Sequence, residues 1–444
     1  MADFIITSLQ SWDIEIGSTI KNTASEIAKK HRVLYVNPPM DIATRLRIAA
    51  GKGPLSPTGH RQLEVIQSKS APLRQINENL WVLDCPFIIH SVGQLPTWLF
   101  NCLNRRNCKK IGNWIVQQAD VLGFKDYTHL IDTDLFRSLH LKEYICPAIS
   151  IYYRRDYVIG FPYWRKHGPR CEEMLVRQSD IVLANSSYFA EQLRPLNRHT
   201  YVLNTGVNLE LYDATRHWDK PTDMQNIPSP IVGYTGAIIE SRLDSELLYN
   251  IARQLPGYSF VFVGPEDKHF QKHLLHNLKN VFFTGRKEVE ELPKYIQHFD
   301  ICINPQILNS ITDGNYPLKI DEYLAMGKPI VATSTHTMRS IFAGHTHLAV
   351  STEEWIIALK AAANEAGNPK LENARIAFAH THSWGHSVQT IYNYFTSGFL
   401  TLGLALRDSK VIIYGIDEKQ GTAQVSPYEY DCESDAYSQN EHLS

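Results

Sequence analysis

The stretch Asp313-Gly-Asn-Tyr-Pro-Leu-Lys-Ile-Asp-Glu-Tyr-Leu-Ala-Met-Gly-Lys-Pro-Ile-Val-Ala-Thr333 decides the reading of this chain. A polar loop containing a glycine leads into a helix predicted to open at Pro317, since proline is favoured at the first helical position, where its missing N–H costs nothing. Free loop N–H groups and the helix dipole then form an anion site. Lys319 and Glu322 are three residues apart and share one helix face. Gly327 ends the helix, and Pro329 to Thr333 reads as a short buried strand. An anion-binding helix start, a cation and a carboxylate able to accept two hydroxyl hydrogen bonds together describe a site for a nucleotide sugar.

Composition sets the limits around this site. The 444 residues exceed one ordinary core and suit two domains of roughly 200 residues each. The 44 basic and 46 acidic residues leave a net charge of −2, which offers no basic footprint for nucleic acid. Seven scattered cysteines form no Cys-x-x-Cys pair and suggest reduced thiols in a cytosolic setting. Met1 to Gln10 lacks the basic start and longer apolar run of a signal peptide. No apolar run approaches the ~20 residues of a membrane helix. The expected location is therefore cytoplasmic.

Along the chain, strand-like and helix-like segments alternate. Phe4 to Thr7, Arg32 to Val36, Trp81 to Leu83, Leu130 to Asp132, Ala148 to Tyr152 and Ile181 to Ala184 read as strands. Ile20 to Lys30 reads as a helix. This alternation predicts an α/β domain with a parallel sheet covered on both faces. His217 to Pro230 is polar, carries three prolines and reads as a linker. A second alternation starts at Ile231. There Ser241 is expected to cap a helix bearing Leu243, Leu247, Leu248, Ile251 and Leu255 on one face. Strands follow at 259–263, 281–283, 300–304 and 330–333, with a helix over 288–299 before the third. Lys410 to Tyr414 suggests an extra strand, and the acidic segment from Asp417 suggests a loosely ordered tail.

Three motifs carry a family resemblance: Gly233-Tyr-Thr-Gly-Ala-Ile238, Val263-Gly-Pro265 and Pro317 through Pro329. Weaker matches lie at Ser179 to Ser186, Asn204 to Asn208, Ser11-Trp-Asp13 and His31 to Pro38. In this order they resemble the bacterial retaining GT-B glycosyltransferases, in particular the family 4-like subgroup that builds polysaccharides of the teichuronic-acid type. The resemblance implies two Rossmann-like doubly wound domains facing a cleft. An acceptor-binding domain would span 1–216, a linker 217–230 and a nucleotide-sugar domain 231–382. A crossover helix over 383–398 would return to the first domain, leaving an extra segment at 399–444. It also implies transfer of a sugar, with retained configuration, from a nucleotide diphosphate to a saccharide or lipid-linked saccharide in envelope or capsular polysaccharide synthesis. The nucleotide sugar is a co-substrate, and no cofactor or metal is expected.

The resemblance places Glu322 on the ribose hydroxyls and Lys319 beside the diphosphate as a catalytic cation. Backbone N–H groups of Asn315 and Tyr316 would cradle phosphate or sugar. Gly236 would let the backbone approach a phosphate closely. The wider family follows that glycine with an arginine and a lysine; here Arg242 is the nearest replacement. Arg286 follows a strand, beside the nucleobase in the family. Where the family holds a second acid, this chain has Gly314, with Asp313 one place earlier as its substitute. On the acceptor side the candidates are Gly17, Asp132, Asp134 and Asp156, with Asp132 and Asp156 as possible proton acceptors. Each of these also reads as an ordinary cap or turn residue. Glu322 equally reads as a solvated helix residue, and Lys319 and Arg242 as surface cations.

Other features point elsewhere and lead less far. His380, His382 and His386 around Trp384, and His345 with His347, suggest metal ligands, but their spacing is loose and no cysteine accompanies them. Pro96 to Ala119 combines Trp98, Phe100 and Trp114 with Arg105, Arg106, Lys109 and Lys110. It reads as a domain helix, or as a face for reversible contact with an anionic membrane. No Gly-x-Gly-x-x-Gly follows the first strand, which argues against a dehydrogenase. Two other functions fit a two-domain α/β chain: a nucleotide-sugar epimerase or hydrolase, and a catalytically silent subunit that binds a partner.

Glu322→Gln tests the ribose assignment directly. It should leave the fold intact and weaken nucleotide binding by about 1.5–3 kcal/mol, the contribution of a charge-assisted hydrogen bond. Calorimetry showing unchanged nucleotide affinity would remove Glu322 from the site.

Overall fold

Apolar residues of the first half come in unbroken runs such as Phe4-Ile-Ile and Val33-Leu-Tyr-Val. A strand without polar alternation needs cover on both faces, which parallel sheets with helices on each side provide. The computed structural model describes the backbone of residues 1–14, 18–51, 56–309, 312–402, 404–407, 410–416 and 423–425, with side chains through residue 394.

The first sheet contains β1 (Asp3–Ser8), β2 (Arg32–Val36), β3 (Leu73–Asn77), β4 (Leu80–Leu83), β5 (Thr128–Asp132), β6 (Ile149–Arg154), β7 (Ile181–Ala184) and β8 (Thr200–Val202). Their order is β3-β4-β2-β1-β5-β6-β7-β8. Around it lie α1 (Thr19–Ala28), α2 (Ile42–Ala49), α3 (Pro57–Ile66), α4 (Thr97–Val121), α5 (Leu141–Ile145), α6 (Pro162–Arg165), α7 (Gly168–Gln178) and α8 (Ser187–Leu193). All pairs are parallel except β3 with β4. That antiparallel edge corrects the expectation of a wholly parallel sheet. Its sequence, Leu-Arg-Gln-Ile-Asn, lacks the apolar run of an inner strand because its face is largely exposed.

The second sheet holds β9 (Ile231–Thr235), β10 (Ser259–Val263), β11 (Val281–Gly285), β12 (Ile301–Asn304), β13 (Ile330–Thr333) and β14 (His347–Ala349). The order β11-β10-β9-β12-β13-β14 is that of a doubly wound nucleotide-binding sheet. Its helices are α9 (Ser245–Gln254), α10 (Leu292–Gln297), α11 (Leu318–Ala325), α12 (Thr352–Ala363) and α13 (Pro369–His380). Asp244, not Ser241, caps α9, its carboxylate accepting the Leu247 N–H at 2.9 Å. The helix expected over 288–299 begins as a 3-10 turn at Val289–Glu291.

The segment between the domains is not a bare tether. Trp218, Met224 and Ile227 pack against the core of the second domain. From there the last long helix, α14 (Trp384–Leu402), returns to the first domain, as the resemblance implied. Val388 and Ile391 join the first core, and Tyr394 stacks on Tyr201 with ring centroids 4.3 Å apart. Beyond it, β15 (Leu404–Arg407), β16 (Lys410–Ile416) and β17 (Ala423–Val425) pair antiparallel. The single extra strand expected at 410–414 is thus the middle of three. Residues 423–425 depart from the loosely ordered tail expected from Asp417, whose remainder lies outside the described residues. No helix among the described residues is long and apolar enough to cross a membrane.

Both sheets reverse their winding direction at one place. In the first sheet this is between β1 and β5, and in the second between β9 and β12. Crevices outside the carboxyl ends of strands at such reversals are where open α/β sheets bind ligands.

Candidate functional site

At the carboxyl end of β9 the chain turns through Gly236, whose φ is +125°. Beside it, Gly264 follows β10 with φ +154°. A Cβ on Gly264 would lie 2.0 Å from the Gly236 carbonyl oxygen. The two turns therefore press together in a way no side chain permits, which leaves a floor of bare backbone. A Cβ on Gly236 would stand 3.0 Å from Lys319 Nζ, so the glycine also makes room for that cation.

Lys319 reaches this floor from α11, and Glu322 follows one turn later on the same helix. Pro317 is the N-cap rather than the first helical residue, and no side chain caps the helix start. The N-terminal end of the dipole is left toward the cleft. Lys319 Nζ sits 3.8 Å from the Tyr234 ring centroid and donates to its Oη at 2.5 Å. Burial draws the lysine down to about 7, opposed by Glu322 and assisted by the positive charge of Arg242. Burial likewise raises Glu322 to about 7, opposed mainly by Lys319. Among the described residues the two close no ion pair, and both keep a partly open surface. The Tyr212 hydroxyl faces Glu322 without a sound hydrogen bond. The cation and carboxylate are thus held apart, each enclosed enough to interact strongly with a ligand.

The neighbouring Asp321 points the other way. Its carboxylate accepts from Tyr316 Oη at 2.6 Å and lies 2.8 Å from His382 Nδ1. All three side chains are buried. His382, read as one of several histidines suggesting a metal, is committed to this network. Tyr316, expected only to offer backbone, is the anchor that ties the loop before α11 down.

The rest of the loop is fixed by the first domain. Ser186 Oγ donates to the Gly314 carbonyl at 2.7 Å. A Cβ at Gly314 would lie 2.4 Å from Tyr188 and 2.6 Å from Phe189. Packing against α8 therefore accounts for the glycine where the family holds an acid. Asp313 is anchored as well, its Oδ1 accepting the His336 N–H at 2.7 Å, which binds it to the loop after β13. The Asn315 N–H does not face a ligand as expected but donates to Thr312 at 3.3 Å. Its buried side-chain carbonyl is unpartnered among the described residues, as are Asn304 Nδ2 and Thr333 Oγ1 at the ends of β12 and β13. Arg242 is exposed near Lys319, and Arg286 is exposed after Gly285. Lys287 turns away to pair with Asp223 at 2.8 Å.

On the acceptor side the structure separates the candidates. Asp132 has no exposed surface and accepts from Ser8 at 2.7 Å and from Arg155 at 3.1 and 3.3 Å. This corrects its expected role in proton removal, since a saturated, enclosed carboxylate cannot meet an acceptor. Asp156, 2.7 Å from Arg155, keeps 29% of its side chain exposed. Asp134 is buried against Arg137 at 3.1 Å. Gly17 lies outside the described residues.

Known proteins resemble this chain in sequence and in fold. Residues 229–366 match the family described as Glycosyl transferases group 1. A Bacillus subtilis (strain 168) protein named as the teichuronic acid biosynthesis glycosyltransferase TuaH is 26% identical over 241 residues. That match takes in 52% of this chain, which spans 60% of the relative's length. Among solved structures, Anabaena Alr3699/HepE in complex with UDP superposes with a TM-score of 0.59 at 14% identity, covering 89% of this chain and all of that one. Sucrose-phosphate synthase from Thermosynechococcus elongatus gives 0.63 at 14% identity, covering 90% and 100%. The fold is GT-B, as the motifs implied.

Lys319→Met tests whether the lysine is kept for a ligand. The folded lysine releases its proton near pH 7, whereas the unfolded one holds it to 10.5. Between these values the unfolded state binds more protons, so this residue makes stability rise with pH. Lys319→Met should remove that rise and increase the melting temperature at neutral pH by about 2–4 °C for each kcal/mol relieved. Thermal melts across pH 6.5–9.5 that leave the slope unchanged would contradict this electrostatic picture.

Proposed function

We propose that the protein is a glycosyltransferase that moves a sugar from a nucleotide diphosphate to a saccharide or lipid-linked saccharide. The observation that carries the reading is the separated Lys319–Glu322 pair on α11, whose lysine stands against the Gly236 turn at the carboxyl end of β9. Glu322 accepts the two ribose hydroxyls. Lys319, with Arg242 and the start of α11, faces the diphosphate. An anion beside Lys319 favours its charged form, so a bound donor raises the lysine from about 7 and ionises the site for catalysis. Its charge then stabilises negative charge developing on the leaving phosphate oxygen, a contribution of several kcal/mol in an enclosed site. The UDP held by HepE, on the same fold, is consistent with a nucleotide-sugar donor here.

Transfer proceeds with retention. Among the described residues no carboxylate stands out as a nucleophile, so the acceptor oxygen attacks from the face that the diphosphate leaves. The leaving phosphate oxygen takes the acceptor proton, and Asp156 is a partly exposed carboxylate of the first domain. Positioning and fixed charge supply most of the rate. The name of the teichuronic acid relative supports a place in envelope polysaccharide synthesis. The silent-subunit reading loses its main support, because Gly314 is explained by packing on α8.

Turnover should need no divalent cation, since Lys319, Arg242 and the helix start supply the positive field. With a panel of nucleotide sugars and a saccharide acceptor mixture, nucleoside diphosphate release should depend on acceptor and persist in EDTA. Release without acceptor would instead indicate a hydrolase. Loss in EDTA with recovery on adding manganese would overturn the metal-free reading.

A lipid-linked acceptor would bring the first domain to a cytoplasmic membrane face. The face of α4 available for this lacks the expected Trp114. Trp114 turns inward to donate to the Asp84 carbonyl at 3.1 Å, Arg105 pairs with Glu143, and Lys110 lies over Phe87. Trp98 remains exposed, as do Arg105, Arg106, Lys109 and Lys110. Each basic residue near an anionic surface contributes about 1 kcal/mol, screened by salt. Sedimentation with anionic but not neutral vesicles, reversed by salt, is the expected result. Indifference to both vesicle types would leave α4 as an ordinary domain helix.

A further inference from the structure

The winding reversal of the first sheet, between β1 and β5, has its own cavity of about 330 Å³. Leu9 follows β1, Pro38 to Met40 follow β2, and Asp134 follows β5 along its wall. It occupies in the first domain the place that the Lys319–Glu322 site occupies in the second. Its volume lies at the lower end of the range for small-ligand sites, about 300–1,000 Å³, which suits one or two small rings.

The lining is mixed in a particular way. Tyr163 and Trp164 form an aromatic wall, their rings edge to face at 5.0 Å. Facing chemistry comes from three planar polar groups. Arg137 donates through Nε to Asp134 at 3.1 Å, and among the described residues its terminal amino groups have no partner. Asn104 is 1% exposed, its Nδ2 donates to the Phe136 carbonyl at 2.9 Å, and its Oδ1 is unpartnered among the described residues. A buried amide oxygen without a donor is costly and calls for one from a ligand. Arg137 offers donors, Asn104 an acceptor, and Asp134 balances the arginine's charge.

We propose that this cavity is a subsite for a neutral pyranose unit of the acceptor. Vicinal sugar hydroxyls both donate and accept, which matches an arginine beside an unfilled amide oxygen. The apolar face of the ring lies against Tyr163 and Trp164. The Asp134–Arg137 pairing leaves no net positive charge that would select an acidic sugar. The inference rests on the glycosyltransferase reading for its ligand class, and on the first domain alone for its geometry.

Saturation-transfer NMR on the full chain tests it with the methyl pyranosides of glucose, galactose, mannose, N-acetylglucosamine and glucuronic acid. Binding of UDP, ADP and GDP is measured in parallel. At least one neutral pyranoside should show transfer, weakened about tenfold by Arg137→Met, as expected for loss of a charge-assisted bond. Tyr163→Leu, at a partly exposed position, should weaken it also and serves if Arg137→Met fails to fold. Nucleotide binding should be unchanged in both variants. No transfer to any neutral pyranoside, transfer to the glucuronide alone, or transfer indifferent to the substitutions would overturn the proposal. Sugar binding without any nucleotide binding would uphold this subsite and count against the donor site instead.

Discussion

One buried carboxylate holds together the parts on which the cleft depends. Asp321 has no exposed surface, and an unpaired charge there would be strongly destabilising. Tyr316 from the donor loop and His382 from the interdomain crossing satisfy it. The His382 carbonyl accepts the Val207 N–H at 2.8 Å, and Trp384 closes on Gly206, where a Cβ would meet its backbone at 2.5 Å. The loop before α11, the helix itself and the chain passing between domains are therefore tied together. Breaking such a buried arrangement by removing one partner typically costs about 3–5 kcal/mol. Because Glu322 is the next residue, the geometry of the proposed binding face is set by a contact on the hidden face.

Within that frame the proposed binding face is built at a cost to stability. Lys319 and Glu322 are each enclosed, and burial works against the charge of both. Keeping them from pairing with one another leaves their fields directed into the cleft. Sites that are held ready for charged ligands are commonly destabilised in this way. Tyr234 tempers the arrangement, with its ring under the ammonium and its hydroxyl accepting from it.

The two domains repeat one solution. Each sheet reverses direction once, and each reversal is lined by groups whose hydrogen-bonding capacity is unfilled. In the second domain these are Asn304 and Thr333, and in the first Asn104 and Arg137. Ser186 reaching Gly314, with Tyr188 and Phe189 against the same glycine, seats one wall on the other. The donor loop is thus partly a product of the first domain.

The sequence by itself determined the fold class and the position of helix α11. Unbroken apolar runs demanded sheets covered on both faces, and Pro317 to Pro329 carried helix start, cation, carboxylate and stop within thirteen residues. These signals are local, so spacing alone reads them. It missed β3, β8 and β14, because short or polar edge strands bury too little to show a pattern. It placed Asp132 among the acceptor groups, since a carboxylate after a buried strand looks the same in sequence whether it faces solvent or Arg155. Only tertiary structure could show that Gly314 answers to Tyr188, that Asp321 answers to His382 across 61 positions, and that Trp114 faces inward. Those outcomes depend on which distant side chain occupies the space beside a residue, and that is fixed by packing rather than by neighbours along the chain.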